Sequence, residues 1–97
     1  MRRQVLVSYD IADQKRWNKV YKIMKGHGER VQYSVFICQL TDVQQAKLKA
    51  KLSEFINNDE DQVMFVDIGL AAKGQLDKKI SVIGRDYMPL DLAKLIY

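Results

Sequence analysis

One cysteine, one histidine and one proline are spread over the 97 residues, and each scarcity removes a class of function. Cys38 has no partner for an internal disulfide and lies inside an alternating apolar run, which suits a small buried hydrophobe better than a nucleophile. His27 has no second histidine with which to share a metal. No Cys/His spacing of the zinc type occurs, and no histidine accompanies a candidate serine or cysteine nucleophile. A glycine-rich phosphate loop is also missing. No apolar run approaches the roughly 20 residues of a membrane span, and Met1-Arg2-Arg3 leads straight into a strand too short for a signal peptide. The expectation is a cytoplasmic protein without repeats, linkers or low-complexity segments.

What is present is an ordinary globular balance, 47% hydrophobic and 29% charged. A chain of this length makes one domain, residues 1–97, and buries only roughly 60 to 70% of its unfolded surface, so self-association is expected. Sixteen Lys and Arg against twelve Asp and Glu leave a net charge of +4, compatible with phosphate binding but far from proof of it.

The stretch Val5-Leu6-Val7-Ser8-Tyr9-Asp10-Ile11 reads as a buried strand. Its pleat sends Val5, Val7 and Tyr9 to one face and Leu6, Ser8 and Asp10 to the other. Asp13 then fits a helix N-cap, and Trp17, Val20, Tyr21 and Met24 recur at helical spacing, with Lys15, Arg16, Lys19, Lys22 and Lys25 on the remaining faces. Gly26-His27-Gly28 ends that helix, with a glycine expected in the left-handed C-terminal position and His27 as a loop residue. Residues 29–40 alternate as one strand, long enough to call for a bend that no glycine or proline marks. Thr41 and Gln44 fit a capping box for a second helix running to about Ile56, buried through Leu48, Leu52, Phe55 and Ile56. A turn at Asn57-Asn58-Asp59, a third strand over Val63–Ile68, a polar loop around Lys73-Gly74-Gln75, a fourth strand over Ile80–Ile83 and a tail opened by Pro89 complete the order. Two helices on one face of a small antiparallel sheet make an α+β sandwich.

Asp10 is the candidate for chemistry. A strand-end aspartate often does no more than cap the following turn. One carboxylate is also a poor metal site by itself. In a two-fold dimer, however, the same patch meets itself, and two copies of Asp10 with water and substrate phosphate satisfy Mg²⁺. Lys15, Arg16, Lys19 and Arg30 near that end of the sheet can hold a phosphodiester and its developing charge.

Tyr9-Asp10-Ile11, Asp13 with Lys15-Arg16, and Arg30-Val31-Gln32-Tyr33-Ser34-Val35-Phe36 together resemble the family of CRISPR-associated protein two. The likeness is detailed over residues 5–40 and extends to the length and strand order of the rest. It implies a ferredoxin-like fold and a homodimer in which residues 86–97 act as a C-terminal tail exchanged onto the partner's sheet. It also implies Mg²⁺-dependent cleavage of RNA or DNA in some members, with Mn²⁺ as an alternative ion and Asp10 as metal ligand and catalytic residue. Tyr9, Lys15, Arg16, Lys19, Arg30, Ser34 and Phe36 become the expected nucleic-acid-binding or active-site support residues. Trp17 and Lys19 stand where relatives often carry arginines, and Trp17 fits the helix core stripe. The implied partner is the integrase, CRISPR-associated protein one, during spacer acquisition. Besides a nuclease, two readings stay open: a non-catalytic scaffold gripping duplex DNA between integrase subunits, and a toxin-type ribonuclease acting on messenger RNA.

Overall fold

The structure is a computed structural model that describes residues 1–71 and 79–85. Its elements are β1 (Arg3–Asp10), α1 (Gln14–Lys25), β2 (Gly28–Gln32), β3 (Val35–Leu40), α2 (Asp42–Ser53) and β4 (Gln62–Leu70). All strand pairings are antiparallel, in the spatial order β2-β3-β1-β4, so β1 lies inside the sheet and β4 at one edge. This is the β-α-β-β-α-β order of ferredoxin-like folds.

Both helices begin where side chains satisfy their first amides. The Asp13 carboxylate accepts from the Arg16 amide at 3.0 Å. The Thr41 hydroxyl accepts from the Gln44 amide at 3.1 Å while the Gln44 side chain accepts from the Thr41 amide at 2.9 Å, so the expected capping box is present. At the end of α1, Gly26 stays right-handed, with φ −81°, and the His27 ring donates through Nδ1 to the Ile23 carbonyl at 2.7 Å. The expected left-handed glycine is therefore replaced by a histidine that closes the helix. The second helix stops at Ser53, short of Phe55 and Ile56, which lie half-buried beyond it.

The core confirms the alternation of β1. Val5, Val7 and Tyr9 join Phe36, Cys38 and Leu40 of β3 against Val20 and Met24 of α1 and Leu48 and Leu52 of α2. Each of those four helical side chains is at most 2% exposed, and burying one contributes about 2 kcal/mol. Cys38 is 1% exposed, and burial pushes its thiol up to about 11, as suits an inert packing residue.

Residues 29–40 are not one strand. A two-residue turn at Tyr33-Ser34 folds them into the β2–β3 hairpin, and a register shift between Arg30 and Gln32 adds a bulge. Gly28 starts β2 in close contact with β3. A Cβ there would stand 2.6 Å from the Ile37 carbonyl oxygen and 2.5 Å from Cys38 Sγ, so no larger residue fits without moving the backbone. Residues 80–83 form no strand. The polar loop around Lys73-Gly74-Gln75 and the 86–97 tail fall outside the described residues.

The opposite face of the sheet has a different character. Across it run the rows Ile37–Leu6–Val66 and Val35–Ser8–Met64. Among the described residues neither helix covers this face, and Met64 and Val66 are 50% and 41% exposed. Asp10 lies next along it, two residues beyond Ser8.

Candidate functional site

Asp10 is the last residue of β1, exposed, and paired through its backbone register with Gln62 of β4. Its carboxylate has no hydrogen bond or ion pair among the described residues. The bland expectation, that Asp10 caps the following turn, does not describe it. Asp13 provides the cap.

The loop after Asp10 is fixed by a residue that sequence reasoning missed. Asp61 accepts from the Ala12 amide at 2.9 Å, the Asn57 amide at 2.8 Å and Arg16 Nε at 2.8 Å, with Arg16 Nη2 at 3.2 Å. Arg16 Nη2 also donates to Glu60 at 3.0 Å. The Asp61 side chain has no exposed area. The Arg16 guanidinium, with help from the two amides and against the effect of burial, holds its carboxyl well below the usual carboxylate range. Arg16 is thus engaged by carboxylates and joins two loops. The only sequence signal was the acidic run Asp59-Glu60-Asp61.

The other expected residues divide by environment. Lys15 is exposed, and Lys19 is exposed with Nζ 5.1 Å from the centre of the Phe55 ring. Arg30 lies among aromatics, its guanidinium carbon 5.3 Å from the Tyr21 ring centre and 5.4 Å from that of Tyr33. Ser34 is an internal support: its carbonyl accepts from the Tyr9 amide at 3.0 Å and its hydroxyl from Trp17 Nε1 at 3.0 Å. Phe36 is 1% exposed and packs against Tyr9 and Tyr21, so any role it has is support from within the core. Trp17 is half-buried and packed against the core, as its helical spacing predicts.

Tyr9 is 3% exposed, and its hydroxyl has no hydrogen-bond partner among the described residues. Burial pushes its pKa up to about 12, opposed by the positive charge of Arg30. Below about pH 10 both folded and unfolded chains keep the phenolic proton. Between 10 and 12 the unfolded chain alone releases it, so stability falls there. Tyr9→Phe is expected to leave the protein as stable at pH 7 or more stable by about 1 kcal/mol, since an unpaired buried hydroxyl is removed. It should also flatten the alkaline loss. Urea unfolding of both proteins at pH 7 and pH 11 measures this, and a clear loss at pH 7 would mean that the hydroxyl has a partner.

No group of three His, Cys, Asp or Glu side chains able to hold a metal ion occurs among the described residues. Nor does any described helix have the length and apolarity to cross a membrane. The β-α-β-β-α-β frame, with one sheet face that neither described helix covers, places the molecule among the small ferredoxin-like proteins. The chain belongs to the Cas2 family: the family model for CRISPR associated protein Cas2 matches residues 3–75. The CRISPR-associated endoribonuclease Cas2 of Geobacter sulfurreducens is 38% identical over 90 residues, 93% of each chain. A second, from Rhodospirillum rubrum, is 36% identical over 91 residues, 94% of this chain and 87% of that one. Among solved structures, Streptococcus pyogenes Cas2 superposes with a TM-score of 0.70 at 30% identity, covering 84% of this chain and 99% of that one. A Thermus thermophilus hypothetical protein gives a TM-score of 0.73 at 28% identity, covering 88% and 94%.

Proposed function

We propose that this protein is a CRISPR adaptation protein that works as a two-fold homodimer and cleaves RNA phosphodiesters with Mg²⁺. The observation that carries the reading is the Asp10 carboxylate, without a partner among the described residues, at the rim of a sheet face whose β4 side exposes Met64 and Val66. Burying Leu6, Met64 and Val66 against a second copy would remove that apolar surface from water, and a two-fold axis running along β1 would place the two Asp10 residues at the same end of the dimer. One carboxylate does not make a divalent-metal site, but Mg²⁺ asks for one or two, with water and phosphate oxygens completing its shell, and an Asp10 pair fits that demand. When bound, the ion would neutralise charge on the phosphate and generate a hydroxide nucleophile. Lys15, Lys19 and Arg30 draw the phosphodiester to this end of the sheet, and the Asp61 clamp keeps the 11–13 loop in place beside it. The name endoribonuclease carried by the relatives favours RNA as substrate.

A second reading is supported by the engagement of Arg16 with Asp61 and Glu60, which leaves one cation fewer for a reacting phosphate. In it the dimer is a scaffold that grips duplex DNA beside the integrase, and the two roles are compatible. The deciding experiment incubates the protein with defined RNA and DNA in Mg²⁺ or chelator. RNA cleavage lost with chelator is expected. Binding without cleavage in Mg²⁺ or Mn²⁺ would overturn the nuclease reading in favour of the scaffold. Three cations on each of two chains approach the six-contact regime, so duplex affinity should fall about 10³-fold between 50 and 200 mM salt.

A further inference from the structure

Tyr33 is the one exposed aromatic side chain among the described residues, at 64%, and it occupies the turn between β2 and β3. A tyrosine is unexpected at a tight turn, where Gly, Asn or Asp serve better. Its ring is nevertheless not loose. It stacks on Trp17 at 4.7 Å and 20°, and Trp17 stacks on Tyr21 at 5.3 Å and 7°. The indole is held in turn by its hydrogen bond to Ser34, the neighbour of Tyr33 in the same turn. The Arg30 guanidinium lies over both tyrosine rings, its carbon 5.3 Å from the centre of Tyr21 and 5.4 Å from that of Tyr33, while Tyr33 keeps 64% of its surface exposed. An exposed π-surface held in orientation without a ligand, with a guanidinium at its side, has the two elements that single-stranded nucleic-acid sites combine: a ring for a base and a charge for the backbone.

The location adds direction. The Ser34 carbonyl accepts from the Tyr9 amide, so the turn lies against the strand end that carries Asp10 on its other face. We propose that Tyr33, backed by Trp17 and flanked by Arg30, is a stacking platform for an unpaired nucleobase of the strand whose backbone reaches the Asp10 rim. This rests on the nucleic-acid reading above and deepens it. It calls for a single-stranded or splayed substrate, because a base inside a duplex has both faces covered by its neighbours. The flanking cation favours a nucleic acid over an apolar protein partner, which would leave Arg30 to be desolvated without a counter-charge.

The test uses the full chain with chelator, so that no cleavage occurs, and a fluorescently labelled 12-nucleotide RNA read by anisotropy. The same RNA as a blunt duplex, and the same backbone with abasic residues, serve as comparisons. Tyr33→Ala is expected to weaken the single strand about 5- to 150-fold, the range for losing one base–aromatic stack. Duplex and abasic strands should change by less than about twofold, and Tyr33→Phe should restore single-strand binding. The fluorescence of Trp17, the only tryptophan in the chain, should respond to the single strand in the parent protein. An equal loss on all three probes, or no loss on any, overturns the platform while leaving the nucleic-acid reading standing, the second result pointing to a protein partner for the ring. A parent protein that binds none of the three overturns both.

Discussion

Asp10→Asn is expected, on the proposed nuclease reading, to reduce metal-dependent cleavage to background while leaving the proposed dimer and its nucleic-acid affinity intact. Asparagine has nearly the same size and shape, and Asp10 makes no hydrogen bond or ion pair among the described residues that the change would break. Stability should therefore stay within about 1 kcal/mol of the parent. What disappears is negative charge at the strand end, which on the proposed reading holds the divalent cation. Losing several kcal/mol of transition-state charge stabilisation lowers the rate by about 10³-fold or more. Phosphate binding depends on the neighbouring cations and should be unchanged or slightly tighter. Melting temperature, mass by light scattering, affinity and cleavage rate on one preparation separate the outcomes. Unchanged cleavage would remove Asp10 from the chemistry, and a mutant that melted early or ran as a single chain would assign it a structural role.

Asp61→Ala should have the largest effect on stability. The substitution leaves two backbone amides and the Arg16 guanidinium, itself 27% exposed, without the acceptor that Asp61 provides from a side chain with no exposed area. Water can reach part of this network, so the loss is about 1 to 3 kcal/mol, or roughly 5 to 20 °C in melting temperature for a domain of this size. Asp67 is the internal control. It pairs with Arg3 at 2.5 Å, but the side chains are 36% and 46% exposed, and an ion pair in water contributes little. Asp67→Ala should therefore barely move the melting temperature. The pH dependence follows from the depressed carboxyl of Asp61. Its contribution is fully present above the unfolded value of about 4 and is lost as pH falls below it, because only the unfolded chain then gains a proton. The acid limb of the stability curve should be shallower in Asp61→Ala. Thermal melts from pH 2 to 7 would show it, and equal slopes in parent and mutant would contradict the clamp.

Local patterns were legible in the sequence where a single period or a single cap decided the outcome. The alternation of Val5, Val7 and Tyr9, the stripe from Trp17 to Met24 and the Thr41–Gln44 box all depend on neighbours a few residues apart. The β2–β3 hairpin was hidden because Tyr33-Ser34 carries no glycine, proline, asparagine or aspartate, only the weaker turn signal of a serine, and because alternation runs unbroken through it. The bulge at Arg30–Gln32 then changes the register without any mark in composition. At the site, the exposed strand end of Asp10 could be read from its pleat. The engagement of Arg16 could not, since its partners lie 44 and 45 positions away in a run that looks like an ordinary polar turn. A cation's availability is set by the nearest carboxylate in space, and no local pattern encodes that distance.

The place of β1 inside the sheet also sets an order of events during synthesis. The hairpin of β2 and β3 and the two helices are built from neighbouring residues and can form as soon as they leave the ribosome. The outer side of β1 must wait for Gln62–Leu70, because its partners run from Leu70 opposite Arg3 to Gln62 opposite Asp10. Pairings this distant in the chain are slow to close, and until they close the unpaired N–H and C=O groups on that side of β1 present an open edge. β1, first of the sheet's strands in the chain, is thus among the last to be completed, and the geometry around Asp10 matures only after Gln62–Leu70 has emerged.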